Sequence, residues 1–321
     1  MAGVTRSLKV ELGGMPLATP VMVAAGCAGT GREWAGLVDV HKVGAIVSRT
    51  VTLIARKGTP TPRVSESPSG VVWESGLQNP GIEAFVDEEL PRLARPGTPV
   101  VVSIGGTTME EYVRLTSILQ GRQGVSAIEI HLSGRDDELG RELLGDRADR
   151  AAEITGAVVR MSHVPVFAKL PPVGAGLVEV ATAVARAGVT GLTLCASPRA
   201  LAVDAASLAP DLGSVTGWLS GPAVLPLTLR AVFDVARALP DVPIIAVGGV
   251  RDGDDAVQLL LAGAWAVQVG TAALIDPIAP VEVAQGVARY LKNKGLASPN
   301  DIRARLRVPA GFDPPEEEAR P

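Results

Sequence analysis

Short, wholly apolar runs alternate along the chain with longer segments in which apolar and polar residues are mixed at helical spacing. The eight runs read PVMVAAG, GAIVSRTV, PVVVSIGG, VSAIEIHLS, VPVFAKLPP, VTGLTLCAS, VPIIAVGG and AWAVQVGT. Runs that are apolar at successive positions, rather than at alternate positions, indicate strands that are buried on both faces of a parallel sheet. Eight such strands, each followed by a predicted helix, favour an α/β fold with a single (β/α)₈ TIM barrel.

Three further segments refine this prediction. Residues 8–17 alternate around a Gly-Gly pair and predict an N-terminal hairpin, while residues 31–42 (GREWAGLVDVHK) predict a helix after the first strand. Residues 54–80 are rich in Pro and Gly and predict a long active-site loop after strand two. We expect one barrel domain over residues 1–300 and a polar tail over residues 301–321, which ends PPEEEARP.

Composition narrows the possible partners and location. Hydrophobic residues make up 47% of the chain and aromatic residues only 3%, so the core consists mainly of aliphatic side chains. The formal net charge of −4 argues against a nucleic acid or an anionic membrane as the main partner. The two cysteines, Cys27 and Cys195, form no disulfide framework or zinc motif. The first residues lack the apolar segment of a signal peptide, and we expect a cytoplasmic protein.

Two glycine turns follow the last two predicted strands. One contains Gly248 and Gly249, and the other contains Gly270 and Thr271. Glycine lets the backbone approach a ligand closely, and turns after the last two strands of a barrel commonly form a phosphate site. The alternative is that these are ordinary connections between a strand and a helix.

A lysine ends the fifth apolar run, where its charge requires a partner. In such barrels the chemistry lies at the carboxyl ends of the strands. Lys169 therefore either stabilises an anion of a bound cofactor, such as a reduced flavin, or forms an ion pair inside the barrel mouth. Both interpretations remain open at this point.

Several longer motifs carry a resemblance to a known family. They are GAIVSRTVTLIARKGTPTPRVSESPSG, GLQNPGIEAF, VFAKLPP, LSGPA, VPIIAVGGV and LAGAWAVQVGTA. With them, residues 8–295 resemble the class 1 dihydroorotate dehydrogenases, and most closely the class 1B catalytic subunit. The resemblance implies an FMN-dependent barrel that oxidises dihydroorotate to orotate. It also implies a homodimer and a partner subunit that carries FAD and an iron–sulfur cluster for electron transfer.

The resemblance assigns FMN contacts to positions at the strand ends, although some residue types differ from the family pattern. The family's Lys-Ser pair after strand two is Arg49-Thr50, and two family asparagines are Ser103 and His131. Cys195 falls where the family has an apolar residue, so packing is its more natural role. The implied cofactor-binding residues are Ala25, Gly26, Arg49, Thr50, Ser103, His131, Lys169, Cys195, Gly221, Gly248, Gly249, Gly270 and Thr271.

The implied substrate site departs further from the family. The family motif Asn-x-Ser-Cys-Pro-Asn reads HLSGRD at residues 131–136, which places the catalytic cysteine on Gly134. Glycine cannot take a proton from C5 of dihydroorotate. The asparagines that hold orotate in the family correspond here to Trp73, His131, Asp136 and Ala196. The implied substrate-binding residues are Arg49, Trp73, Glu74, Ser75, Gly76, Leu77, Asp136, Ala196 and Ser197.

Three hypotheses about function follow. The preferred one is an FMN-dependent oxidoreductase that acts on a less anionic, partly hydrophobic or cationic molecule other than dihydroorotate. Its predicted catalytic residues are His131, Ser133 and Lys169, with Asp136 and Cys195 as further candidates for proton transfer. The second is a dihydroorotate dehydrogenase with a rebuilt site, in which Ser133 or His131 is the base. The third is a barrel without turnover that serves as a binding or structural subunit.

Overall fold

The structure is a computed structural model that describes residues 6–34, 36–95, 97–133, 143–172, 174 and 176–309. The strands are β1 (Val10–Leu12), β2 (Met15–Leu17), β3 (Val21–Val23), β4 (Ile46–Val47), β5 (Val64–Ser67), β6 (Gly70–Trp73), β7 (Val100–Ile104), β8 (Ala127–His131), β9 (Val166–Leu170), β10 (Gly191–Leu194), β11 (Arg199–Ala200), β12 (Val203–Asp204), β13 (Ala209–Pro210), β14 (Gly217–Ser220), β15 (Ile244–Val247) and β16 (Ala266–Val269). The α-helices are α1 (Ile82–Ala84), α2 (Leu90–Ala94), α3 (Met109–Leu119), α4 (Ala148–Met161), α5 (Leu177–Arg186), α6 (Leu225–Ala238), α7 (Gly253–Ala262), α8 (Thr271–Ile275) and α9 (Ala279–Lys294). A π-helical segment (Phe85–Glu89) joins α1 to α2, and 3₁₀ turns occur at Val40–Lys42, Leu144–Asp146, Pro222–Val224 and Pro299–Asp301.

Eight parallel strands close into a barrel in the order β3-β4-β7-β8-β9-β10-β15-β16, and β16 pairs with β3. Every residue of these strands is buried except His131, the last residue of β8. Burial on both faces explains why the runs are apolar at successive positions. The predicted (β/α)₈ barrel is confirmed.

The predicted N-terminal hairpin is also present. Strands β1 and β2 pair in antiparallel register across a turn in which Gly13 has a φ of 57°. Their buried side chains, Leu12 and Leu17 among them, form a core cluster with Phe167 at the amino end of the barrel. The hairpin therefore closes the end of the barrel that lies opposite the carboxyl ends of the strands.

The helix predicted over residues 31–42 is wrong. The described part of this segment consists of turns and the 3₁₀ turn at Val40–Lys42. Gly31 and Gly36 have φ values of 83° and 78°, which a right-handed helix cannot contain. The buried side chain of Trp34 anchors the segment to the core instead.

The insertion over residues 54–80, predicted as a long loop, contains the β5–β6 hairpin. This hairpin joins β14 and β11 in a four-stranded sheet of order β11-β14-β6-β5, separate from the barrel. The alternation of apolar and polar residues in VSESPSGVVW predicts strands only weakly, because Pro and Gly residues surround it. The hairpin becomes part of a larger sheet only because β6 pairs with β14, which lies almost 150 positions further along the chain.

The outer helices follow the sequence pattern closely. Helix α3 begins after Thr108, whose hydroxyl accepts a hydrogen bond from the Glu111 amide, as a Thr cap requires. Helices α7 and α9 approach each other at Gly253 and Gly286. None of the helices in the described ranges combines the length and the apolar character needed to cross a bilayer.

The glycine contact between α7 and α9 gives a stability prediction. A Cβ on Gly286 would lie 2.6 Å from the Gly253 Cα, so Gly286→Ala forces two backbones apart. We expect a loss of about 1–3 kcal/mol in the free energy of unfolding, measured by urea denaturation. The control is Gly156→Ala inside α4, where the nearest neighbour of the new Cβ is the end of the Arg160 side chain, at 3.1 Å. The control should gain up to about 1 kcal/mol, and equal effects would contradict the contact.

Candidate functional site

A cleft of about 460 Å³ lies at the carboxyl ends of the barrel strands, with part of the four-stranded sheet as its outer wall. This is the end of the barrel at which loops can present side chains without disturbing the core. The lining residues are Arg56, Thr59, Trp73, Glu74, Ser75, Gly76, Leu77, Gly106, Thr107, His131, Ser133, Leu143, Ala196, Ser197, Arg199 and Trp218.

The cleft brings together most of the residues predicted to bind substrate or to carry out catalysis. These are Trp73, Glu74, Ser75, Gly76, Leu77, His131, Ser133, Ala196 and Ser197. Asp136 lies outside the described residues, as do Gly134 and Arg135, so the structure gives no account of their positions. Arg49 does not line the cleft.

Arg49 is held in the wall of the barrel mouth. Its Nε lies 3.3 Å from Oε2 of Glu89, and its terminal nitrogen donates a hydrogen bond to the Gln78 carbonyl. Burial raises the pKa of Glu89, and the positive charge of Arg49 opposes this effect. The described contacts of Arg49 therefore fix a loop to the π-helical segment, and its predicted contacts with cofactor and substrate remain a prediction.

The sequence analysis missed three large side chains that line the cleft. Arg56 comes from the insertion, Arg199 from β11 and Trp218 from β14. Signals for two of them were present, because Trp218 stands just before the SGPA motif and Arg199 lies two residues after Ser197. Their meaning depended on a second sheet that the sequence analysis did not predict.

The two glycine turns converge with a third turn on one side of the mouth. Thr271 Oγ1 lies 3.0 Å from Oγ of Ser220, the residue that precedes Gly221 in the third turn. A Cβ on Gly249 would lie 2.5 Å from the Leu225 amide nitrogen, so only glycine fits there. The amides of Gly248, Gly249 and Gly270 donate to no described residue. Free amides around a turn too tight for a side chain fit the phosphate of a nucleotide-like cofactor.

The turn after β3 completes this side of the mouth. Gly26 has a φ of 80°, and a Cβ built on it would meet no atom within 4 Å. A Cβ on Gly270 would lie 3.5 Å from Ala24 and 3.8 Å from the Cys27 sulfur. Ala25 and Gly26 thus border the same space as the glycine turns after β15 and β16.

On the opposite side of the mouth, two predicted cofactor residues bond to each other. Thr50 Oγ1 and Ser103 Oγ are 2.9 Å apart and are both buried. A Cβ on Gly105 would lie 2.8 Å from Thr50 Cγ2, which leaves room only for glycine beside this pair. One hydroxyl of the pair donates to the other, so the pair has a single hydroxyl proton left to donate, whereas the family pattern implies an asparagine amide with two donor hydrogens at the position of Ser103.

Lys169 projects from β9 and is almost fully buried. Its Nζ lies 3.7 Å from Oε1 of Glu129, whose Oε2 accepts hydrogen bonds from Thr193 and Gln268. Glu129 is 0% exposed and its Oε1 has no hydrogen-bond partner in the described chain. A buried charge is stable only when it is paired and hydrogen-bonded. The ion pair predicted as the alternative for Lys169 is therefore present, and it leaves the ammonium at the carboxyl end of the barrel.

His131 is neutral in this site. His131 is partly accessible from the cleft, but the surrounding protein desolvates its imidazole and, together with the positive charges of Lys169 and Arg56, lowers its pKa to about 3. Such a side chain is a hydrogen-bonding group at physiological pH and a weak general base. Tyr112 donates a hydrogen bond of 2.6 Å to the His131 carbonyl and fixes the end of β8.

Ser133 is the better placed of the two predicted proton acceptors. Its Oγ is buried, has no hydrogen-bond partner among the described residues and lines the cleft. The two cysteines are poor acceptors, because burial raises the pKa of Cys27 to about 11 and that of Cys195 to about 12. Both thiols are therefore protonated near neutral pH and pack as small apolar groups.

The cleft carries more positive charge than the sequence analysis expected. The Arg56 guanidinium forms no ion pair or hydrogen bond with a described residue. The Glu74 carboxylate, in contrast, accepts hydrogen bonds from the Gly76 amide and the Trp218 indole. The described lining contains two guanidinium groups, Arg56 and Arg199, and one carboxylate, Glu74, so it favours an anion, against the expected preference for a less anionic or cationic substrate.

The Glu129–Lys169 pair gives a prediction for stability. Glu129→Gln leaves the buried ammonium of Lys169 without its counter-charge, so we expect a loss of about 3–5 kcal/mol in the free energy of unfolding. The double variant Glu129→Gln/Lys169→Met contains neither charge and should lose less than the sum of the two single variants. Urea denaturation of all four proteins measures this coupling. Strictly additive losses would contradict the ion pair.

The neutral state of His131 predicts a pH dependence. The unfolded chain binds a proton at this histidine below pH about 6.5, whereas the folded chain does not until pH approaches about 3. His131 therefore makes the wild type lose about 2 kcal/mol of stability, relative to His131→Asn, as the pH falls from 7 to 5. Denaturation at both pH values measures this difference. An equal pH dependence in the two proteins would contradict the lowered pKa.

Comparisons with known proteins agree with this geometry. Residues 7–291 match the family model described as dihydroorotate dehydrogenase. A dihydroorotate dehydrogenase B (NAD(+)) catalytic subunit from Pelobacter propionicus is 42% identical over 93% of this chain and 98% of the relative. Proteins of the same name from Desulforudis audaxviator and Cutibacterium acnes are 41% and 38% identical, over 91% and 94% of the chain and 95% and 98% of the relatives. The chain belongs to the dihydroorotate dehydrogenase family and is similar to its B-type catalytic subunits, as its motifs indicated.

Proposed function

We propose that this chain is an FMN-dependent oxidoreductase that converts a CH–CH bond of a small anionic molecule into a double bond, with dihydroorotate as the first candidate. The names of its relatives support this substrate, which the sequence analysis ranked second. The observation that carries the proposal is the meeting around one mouth of the glycine amides, the buried Lys169 and the Arg56 guanidinium, where neither the amides nor Arg56 has a partner among the described residues.

Different residues would bind different parts of the cofactor. The amides of Gly248, Gly249 and Gly270 would hold the FMN phosphate, and Lys169 would stabilise negative charge on the ring. When bound, FMN supplies a two-electron acceptor for a hydride. The neutral His131 adds a hydrogen bond without adding charge.

The cleft residues would handle the substrate. Arg56 would bind the carboxylate, because its guanidinium lines the cleft and has no ion-pair partner among the described residues. Ser133 Oγ would relay the proton: it accepts the proton from the carbon next to the one that loses hydride, while its own hydroxyl proton passes to water at the open side of the cleft. The wall that contains Trp73 and Trp218 excludes water from the reacting carbons.

We extend the proposal to the assembly on the strength of the relatives. They are named as catalytic subunits of an NAD(+) enzyme, so a separate subunit would pass electrons from this chain to NAD(+). We propose such a flavin and iron–sulfur partner here, together with a homodimer of this chain and a cytoplasmic location.

A second candidate is the function that the sequence analysis preferred, oxidation or reduction of a different small molecule. The specific observation in its favour is the outer wall, where Trp73 and Trp218 lie opposite each other on β6 and β14. Gly134 also supplies no side chain for proton transfer, whatever its position.

The test is anaerobic titration of the purified, flavin-loaded protein. Dihydroorotate should bleach the visible flavin absorbance, and Ser133→Ala should slow the bleaching by about 10²–10⁴-fold. Ser117→Ala, on an exposed position of α3, is the matched control and should bleach at the native rate.

Each other result has a defined meaning. Bleaching by another reductant but not by dihydroorotate would replace the first candidate with the second. A colourless protein that does not take up added FMN would overturn both and would favour a binding or structural subunit.

A further inference from the structure

Three side chains form a row across the outer sheet of the cleft. Arg199 on β11 is the direct antiparallel partner of Trp218 on β14, and Trp218 is the direct partner of Trp73 on β6. Directly opposed residues of antiparallel strands project from the same face of a sheet. All three line the cleft, so the row faces the space above the barrel mouth.

The row is held in place from its edges. The Trp218 indole donates a hydrogen bond of 3.0 Å to Oε2 of Glu74, whose Oε1 accepts one of 2.7 Å from the Gly76 amide. The Arg199 guanidinium lies 5.1 Å from the centre of the Trp218 ring and donates to the Thr216 hydroxyl. The indole is thus fixed in orientation before any ligand arrives, which lowers the entropic cost of binding.

The charge at one end of the row lacks an acidic partner. Arg199 forms no ion pair with a described carboxylate, and its hydrogen-bond acceptor, Thr216, is neutral. Glu74, the acidic residue of the described lining, accepts hydrogen bonds with both oxygens within the wall. A surface that offers two large aromatic side chains and ends in an uncompensated guanidinium suits a flat, conjugated ring that carries a carboxylate.

We propose that Arg199, Trp218 and Trp73 form a recognition subsite for a planar aromatic carboxylate with more than one ring. The ring system packs against the two tryptophans and the carboxylate meets Arg199. This inference rests on the proposed function in that the same cleft receives the substrate, and it assigns to the outer end of that cleft a ligand class different from dihydroorotate. Its test reads binding alone, so it does not depend on turnover.

The experiment is isothermal titration calorimetry of the full chain, as purified, with 2-naphthoate, benzoate and 2-naphthamide. The native protein should bind 2-naphthoate about tenfold or more tightly than benzoate, because the second ring adds contact with the tryptophans. Trp73→Ala and Trp218→Ala should each bring the two affinities closer together. Trp218→Phe keeps a ring in place and should retain part of the difference, which guards against a misfolded alanine variant.

Arg199→Gln tests the charge. It should weaken binding of 2-naphthoate about tenfold and leave binding of 2-naphthamide unchanged. The matched control is Arg303→Gln, which removes the same kind of guanidinium from the face of Trp265 outside the cleft and should change neither affinity.

Equal affinities of the native protein for benzoate and 2-naphthoate would overturn the proposal. So would equal effects of Arg199→Gln and Arg303→Gln on 2-naphthoate. A protein that discriminates between the two carboxylates but is not reduced by dihydroorotate retains the subsite and loses only the first candidate function.

Discussion

The closed barrel imposes one constraint on everything at its mouth, which is that a charge among its strands must have its partner inside the barrel. Lys169 meets this requirement through Glu129, whose other carboxylate oxygen accepts hydrogen bonds from the Thr193 hydroxyl on β10 and the Gln268 amide on β16. The pair places a cation at the carboxyl end of β9 without exposing it to water. The lowered pKa of His131, on the adjacent strand, depends partly on that cation.

The second constraint comes from the sheet outside the barrel. Its strands originate from segments far apart in sequence, and their pairing aligns Arg199, Trp218 and Trp73 over the mouth. Because the wall is built from backbone hydrogen bonds, its side chains keep their positions relative to one another. The barrel therefore positions the side chains at the inner end of the cleft, and the separate sheet positions those at the outer end. The two ends can for this reason bind groups of different chemical character.

These two constraints explain why the cleft favours an anion although the whole chain is acidic. Glu129, Glu74 and Glu89 are each engaged within the protein, by Lys169, by the Trp218 indole and by Arg49. The Arg56 guanidinium has no such partner within the part of the chain that the structure describes. Local pairing, rather than net charge, thus decides which sign the cleft presents.

The sequence by itself determined the barrel, the N-terminal hairpin and the glycine turns, because these depend on local periodicity and on backbone freedom at particular glycines. It also identified His131 and Ser133 as site residues through their positions at a strand end, and Trp73 through the family resemblance. Only the tertiary structure decided that Lys169 pairs with Glu129, that residues 31–42 form no α-helix in their described part, and that Arg199 lies in a row with Trp218 and Trp73. Those outcomes depend on the free energy of contacts between segments that are distant in sequence, which cannot be predicted from the residue pattern of either segment alone.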